Sequence, residues 1–278
     1  MSRARFFFFP SPMNTSRLYA FGWDDPDLAV RGVGRIVSAH GDYYHLVCNE
    51  TDGEVIARKK KSAFRGEDAL KPITGDFVEF VHNAQGESMI AKVLPRFSRF
   101  ERKDPTARRT AQTLAVNFDY LFIMMSVTEN FSLPRLERYL ALAEDIGRAE
   151  PVLLLTKCDL GNRELEVPVR TIRISVRTGQ GLDEVRAILR PRVTAALIGS
   201  SGVGKSSLVN ALAGEEWQAV QEIQEWSGKG RHTTTSRELI MLPDGSMVVD
   251  TPGIREIGIV GEREAVLAKG ESTHRYRR

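Results

Sequence analysis

The sequence predicts two folded units in one chain: a small all-β barrel near the amino end, then an α/β domain on a mostly parallel sheet. Three observations predict this. Residues 32–95 break into five short runs rich in Val, Ile, Tyr and Phe, each bounded by turn residues. From Asp119 onward, apolar runs alternate with segments of helical periodicity, the pattern of parallel strands joined by crossover helices. Within that second half, the apolar run Val193–Ile198 leads into Gly199-Ser200-Ser201-Gly202-Val203-Gly204-Lys205-Ser206 and then a helical stretch from Ser207 to Ala213.

The bulk numbers exclude several classes. At 278 residues the chain is long enough for two domains. Its 42% apolar and 27% charged residues are those of a globular protein. A net charge of +3 does not by itself argue for a polyanionic partner, so local clusters must make that case. Cys48 and Cys158 are the two cysteines and fall in different units, which argues against a disulfide framework and fits a reducing, cytoplasmic compartment. No apolar run approaches the ~20 residues of a membrane span.

Residues 1–17 read as an N-terminal extension. Arg3, Arg5 and Phe6–Phe9 resemble the start of a secretory signal, but the apolar stretch is short and Pro10 interrupts it. Residues 1–23 hold no acidic group, which leaves a transit-peptide reading open. The plainer expectation is that translation starts at Met13 and that residues 1–12 are not native.

The first unit spans residues 18–95. Its strands are expected at 32–38, 43–49, 53–58, 76–82 and 88–94, with turns at His40-Gly41-Asp42, Thr51-Asp52-Gly53 and Asn83–Gly86. Five strands with one longer insertion, residues 59–75, suggest an OB-type barrel. That insertion begins at the charge run Arg58-Lys59-Lys60-Lys61. Such barrels often bind oligonucleotides, and Tyr43, Tyr44 and Phe64 are able to stack on bases. The same aromatics serve equally as core or cross-strand packing, and the basic run as a solvated loop. Residues 96–113, dense in Arg and holding Pro105, read as a mobile basic linker able to order on RNA phosphates, or as a solvated spacer.

The second unit is expected over 114–258, with 259–278 as an atypical tail. Strands are expected at 119–127, 151–156 and 169–175, helices at 133–147 and 181–190, and a hairpin at 237–242 and 246–250 across Pro243-Asp244-Gly245. Gly199–Ser206 has the spacing of a phosphate-binding loop. Glycines let the chain turn back with its N–H groups inward, and the following helix faces the same anion with its positive end. Lys205 is expected on the β- and γ-phosphates and the Ser206 hydroxyl on Mg²⁺, with Ser207 next in the helix.

Four further elements end strands and complete a nucleotide site. Thr156-Lys157-Cys158-Asp159 resembles the guanine reader [NT]-K-x-D: a carboxylate at Asp159 accepts from guanine N1–H and the exocyclic amine, while Lys157 packs along the nucleoside. The usual Asn is Thr156 here, and a T-K-x-D string also reads as a helix cap. Ser175-Val176-Arg177 resembles the S-A-K loop behind the base. Asp250-Thr251-Pro252-Gly253 matches D-x-x-G, with Asp250 on Mg²⁺ and the Gly253 amide at the γ-phosphate. Gly230–Thr235 holds the switch threonine, Thr234 or Thr235. In open parallel sheets, ligands gather at such strand ends. The order is rearranged: the guanine elements precede the phosphate loop, and D-T-P-G comes last, as in a circular permutation.

These strings, with G-D-F-V-E-F at 75–80, N-F-D at 117–119 and G-R-H-T-T-T at 230–235, resemble the RsgA (YjeQ) family of circularly permuted GTPases that depend on the small ribosomal subunit. The resemblance covers residues 18–258. It implies an α/β P-loop GTPase domain behind an OB barrel that binds 16S ribosomal RNA, and GTP hydrolysis with Mg²⁺ in late maturation of the 30S subunit. It also implies a cytoplasmic monomer without a membrane partner. His232 matches the family's proposed catalytic histidine. That role suits this chain, because the position after D-x-x-G is Ile254, whose alkyl group cannot orient water. The family also carries a C-terminal zinc module with Cys and His ligands. After Glu256 only His274 remains and no cysteine follows, so zinc is expected of the family but its ligands are not expected here. A truncated or frame-shifted reading frame is the expected cause. Two alternatives stay open: an RNA- and nucleotide-binding protein with little catalysis, and a P-loop ATPase or kinase, against which Thr156–Asp159 argues.

Overall fold

A computed structural model of the chain describes residues 16–24, 30–60, 62, 64, 70–102, 112–128, 131–214 and 237–250. The five amino-terminal runs form strands β1 (Val33–His40), β2 (Tyr43–Cys48), β3 (Val55–Lys59), β4 (Phe77–Val81) and β5 (Ser88–Val93). They pair in the order β1-β2-β3-β5-β4, and β4 returns to β1, closing a five-stranded barrel of the expected OB type. Alternation sets its interior: Val55 and Ala57 of β3 point in, while Ile56 and Arg58 point out. Ile36, Leu46, Val78, Phe80 and Ile90 complete the core.

The three aromatics expected either to stack on bases or to pack differ in exposure. Tyr44 is 5% exposed and Phe64 packs against the barrel core. Tyr43 is 39% exposed and lies under the Arg58 guanidinium, which sits 4.3 Å from its ring centroid and also donates to its hydroxyl. Of these three, Tyr43 is the most exposed.

Two sequence expectations need correction. Residues 16 and 17, read as part of an extension, belong to a folded turn: helix α1 (Arg17–Ala20) is capped by the Ser16 hydroxyl, and Leu18 is fully buried. The basic segment 96–113, read as a mobile linker, contains strand β6 (Arg99–Arg102), which pairs antiparallel with β7 (Gln112–Val116). The reason is Phe100. It is fully buried in the same core as Leu114, Phe118 and Tyr139, so one apolar residue in a charged run anchors the hairpin.

The α/β unit contains β8 (Tyr120–Ser126), α2 (Leu133–Ala143), β9 (Glu150–Thr156), β10 (Arg170–Arg173), α3 (Leu182–Ile188), β11 (Thr194–Gly199), α4 (Lys205–Ala213), β12 (Glu238–Met241) and β13 (Met247–Asp250). Strands β10-β9-β8-β11-β13 run parallel in that order, and β12 is antiparallel to β13. Both faces of the sheet are covered, which is why its strands read as continuous apolar runs. Leu121, Ile123 and Met125 of β8 face α2 and the β6–β7 hairpin. Phe122 and Met124 face the side of α3 and α4.

The two units share one sheet, because β12 also bridges β1 at Ser38 and Glu238. Polar anchors fix this junction. Asn117, in the left-handed region at φ 52, accepts from the Phe97 amide at 3.1 Å and donates to the Gly75 carbonyl at 3.1 Å. Arg35 is 1% exposed and donates to Asn117 O at 2.7 Å and Phe21 O at 2.5 Å. Burial pushes its guanidinium down to about 10, partly offset by Asp119 and Asp76. Among the described residues, no helix is long and apolar enough to cross a membrane.

Candidate active site

Strand β11 is buried along its whole length between β8 and β13, so its carboxyl end opens into a loop at the edge of the sheet. Gly199 makes that turn possible. A Cβ there would lie 2.7 Å from Met124 O on the neighbouring strand, so only glycine lets the two backbones approach. Val203 is 3% exposed and plugs the loop into the core, while Gly204 caps α4 at φ 105. Helix α4 has no acidic residue in its first turn and no side-chain cap, so its leading N–H groups remain available to an anion. Lys205 Nζ folds back on the loop, donating to Gly199 O at 2.6 Å and Ser200 O at 2.9 Å. Ser201, Gly202, Ser206 and Ser207 are exposed around it.

The elements expected to read the base come from β9 and β10. Strand β9 ends at Thr156, and Lys157 then adopts a left-handed conformation, φ 60 and ψ 37, that starts a 3₁₀ turn over Cys158–Leu160. A non-glycine residue in that region is strained, and such strain tends to gather at functional turns. The turn brings Asp159 beside Ser175, whose hydroxyl donates to Asp159 Oδ1 at 2.7 Å. Ser175 is buried and also accepts from the Thr178 amide at 3.3 Å, so its hydroxyl is held in one direction. The Ser175 hydrogen bond holds the Asp159 carboxyl below the ordinary carboxylate range, and the Arg177 charge acts in the same sense. Arg177 Nε lies 3.5 Å from Asp159 Oδ2, and that side chain is 80% exposed.

One contact joins the two halves. Thr156 Oγ1 donates to Val203 O at 2.7 Å, across 47 residues of sequence, and both residues are buried. The threonine that departs from the usual asparagine therefore clamps the strand bearing Lys157 and Asp159 to the phosphate loop. Sequence reasoning did not find this contact. Its signal was the small hydroxylated side chain at the end of a buried strand, which must find an acceptor. Arg177 was visible in the S-V-R string, yet only the fold shows that it faces Asp159.

Asp250 ends β13, and its backbone stands opposite Leu197 of β11, two residues before Gly199. Of the remaining expected site residues, His232, Thr234, Thr235 and Gly253 lie outside the described residues, as does the side chain of Asp250. Both cysteines are free thiols, Cys48 within the barrel and Cys158 on the turn after β9. Burial raises both, the Cys48 thiol to about 11, which makes them poor nucleophiles.

The two residues expected on a divalent cation, Ser206 and Asp250, carry by residue type a hydroxyl and a carboxylate. Both are hard oxygen donors of the kind Mg²⁺ takes. Taken together, the loop suits a nucleotide's phosphates and the Asp159–Ser175 pair suits a base with two adjacent donors.

The family model described as RsgA GTPase matches residues 93–260. The chain is 41% identical over 236 residues to "Small ribosomal subunit biogenesis GTPase RsgA 2" of Lactiplantibacillus plantarum, covering 82% of this chain and 66% of that protein. It is 40% identical over 241 residues to "Small ribosomal subunit biogenesis GTPase RsgA 1" of Listeria innocua, covering 83% and 67%. The chain thus spans about two thirds of the length of these relatives. Among solved structures, YjeQ from Thermotoga maritima matches with a TM-score of 0.56 and 25% identity, over 81% of this chain and 75% of that one. YloQ, a circularly permuted GTPase, matches in fold with a TM-score of 0.51 at 22% identity, over 85% and 76%.

Proposed function

Because this chain belongs to the RsgA GTPase family, we propose that it binds GTP with Mg²⁺, hydrolyses it to GDP and phosphate, and acts in late maturation of the small (30S) ribosomal subunit. The observation that carries this reading is the 2.7 Å bond from Thr156 to Val203, which ties the strand leading to Asp159 to the loop at 199–206. A phosphate loop alone accepts any triphosphate. A carboxylate held ionised by Ser175 at the end of the next strand but one selects guanine, because adenine lacks the matching pair of donors.

In this reading the loop amides of 199–205 and the end of α4 hold the phosphates. Lys205 leaves the Gly199 and Ser200 carbonyls for the β- and γ-phosphates when they arrive. Ser206 and Asp250 hold Mg²⁺, which when bound neutralises charge on the β- and γ-oxygens. Thr234 or Thr235 adds to that shell, Gly253 contacts the γ-phosphate, and His232 orients the attacking water. The barrel contacts 16S rRNA, with Tyr43 and Arg58 on its outer face. The protein works as a monomer in the cytoplasm.

The test is turnover of the purified chain with GTP and with ATP, each with and without small ribosomal subunits. GTP turnover that small subunits accelerate, with ATP inert, is the expected result. Equal use of ATP would overturn the base assignment, and GTP turnover indifferent to the subunit would overturn the ribosomal role.

A further inference from the structure

The string G-D-F-V-E-F at 75–80 takes no part in the site described above, yet its start is tied from several sides. Gly75 N donates to Ile36 O at 2.8 Å, and Gly75 O accepts from Asn117 Nδ2 at 3.1 Å. Asp76 takes Nε and Nη2 of Arg96 at 2.8 Å each, in a buried bidentate pair. A Cβ on Gly75 would lie 2.7 Å from Val116 O, so the barrel and the β6–β7 hairpin meet here in direct backbone contact. A buried ion pair and backbone bonds hold this corner.

Thr74 sits on this corner, 1% exposed, and its hydroxyl donates to Arg237 O at 2.9 Å. Arg237 in turn donates from Nη1 to Thr113 O at 3.0 Å. Arg237 follows residues 215–236, the stretch of sequence that holds His232, Thr234 and Thr235, and it leads into β12. One residue further on, Glu238 faces Ser38 of β1 on one side and Asp250 of β13 on the other. Asp250 faces Leu197 of β11. A single row of the sheet, Ser38–Glu238–Asp250–Leu197, therefore runs from the barrel to the strand of the phosphate loop.

We propose that Thr74, a barrel residue, is a positioning residue for the hydrolysis reaction: its hydroxyl pins the backbone of Arg237 to the barrel corner and so couples an RNA backbone held on the barrel to the nucleotide site. The proposal rests on the GTPase reading. The physical basis is stiffness at one end and a short lever at the other. A corner fixed by an ion pair and backbone bonds transmits displacement, and the β12–β13 hairpin carries it two residues from the phosphate loop. Coupling of this kind is reciprocal for binding: if RNA on the barrel favours one arrangement of the hairpin, the nucleotide that favours the same arrangement tightens RNA binding by an equal factor.

The test compares Thr74→Val, which keeps shape and removes the donor, with Thr74→Ser, which keeps the donor. Two readouts are taken on the full chain: GTP turnover with small ribosomal subunits, and hydrogen exchange of the β1 amides on adding a non-hydrolysable GTP analogue. Thr74→Val is expected to lower kcat about 3- to 10-fold while KM for GTP stays within about 2-fold. It is also expected to abolish the change in β1 exchange that the analogue causes in the wild type, and Thr74→Ser is expected to restore both. Should Thr74→Val fail to fold, Thr74→Ala, which removes the same donor without the second methyl group, is expected to give the same pattern. Wild-type behaviour in Thr74→Val, equal loss in Thr74→Ser, or no analogue-induced change at β1 in the wild type overturns the proposal. A wild type that turns over no GTP overturns the proposed function and the hydrolysis half of this proposal, and the exchange readout then decides the coupling by itself.

Discussion

Replacing Thr156 by valine isolates the clamp between base reader and phosphate loop. The two side chains have nearly the same shape, so no cavity forms and the change is the loss of one donor. Thr156 and Val203 are 4% and 3% exposed, so water cannot easily take the donor's place at the Val203 carbonyl. A neutral hydrogen bond contributes about 0.5–1.5 kcal/mol net, and leaving its buried acceptor unsatisfied costs about 1–3 kcal/mol. Part of this loss falls on the fold and part on the bound state, because the loop must then be held by nucleotide alone. About 1.4 kcal/mol on binding is a tenfold weaker Kd. GDP and GTP should weaken alike, since the loop grips phosphates common to both. Titration with a fluorescent guanine nucleotide, paired with urea unfolding, measures both parts, and Thr156→Ser should return each towards wild type. A Thr156→Val protein with unchanged affinity and unchanged stability would refute the clamp. Loss of GTP binding with GDP binding intact would show that the contact acts elsewhere.

The other expected outcomes concern Asp159, His232 and Asp76. Asp159→Asn should shift preference from guanine towards xanthine nucleotides, read as the ratio of GTP to XTP affinity; an unaltered ratio counts against the base assignment. Because Ser175 depresses the Asp159 carboxyl, its charged form persists down to acid pH, so guanine affinity should be flat above the ordinary carboxylate range and fall only below it. His232→Ala should keep GTP affinity but lower subunit-stimulated turnover about 10²-fold, checked by single-turnover hydrolysis. Asp76→Asn should cost about 3–5 kcal/mol in urea unfolding at neutral pH, because it strands the buried Arg96.

Much of the fold is legible in the sequence because strand and helix periodicities are local. The β8 run is apolar without a break, since both its faces are covered, and β3 alternates because one face meets water. The phosphate loop is legible because its glycines answer to a backbone turn that few other residues allow. The basic segment misled for a physical reason. Its Arg residues outnumber its apolar ones, but one buried Phe100 outweighs them once α2 and β8 supply a pocket. The extension misled in the same way: Ser16 caps α1 and Leu18 fills a cluster with Val33 and Phe77, contacts made only by the folded barrel.

What the sequence by itself determined is the chemistry at hand and the order of parts. Its turn glycines, lysine, two strand-end carboxylates and hydroxyls are sufficient to point to a nucleotide site, and their order along the chain is sufficient to show the permutation. What only the tertiary structure decided is which of these groups touch. Thr156 meets Val203, Ser175 meets Asp159, and Thr74 of the barrel holds Arg237 at the far end of the chain, 163 residues away. Sequence periodicity reports how each residue faces its own element. Contacts between elements depend on how the strands are ordered in the sheet, and that order is set by the packing of the whole core.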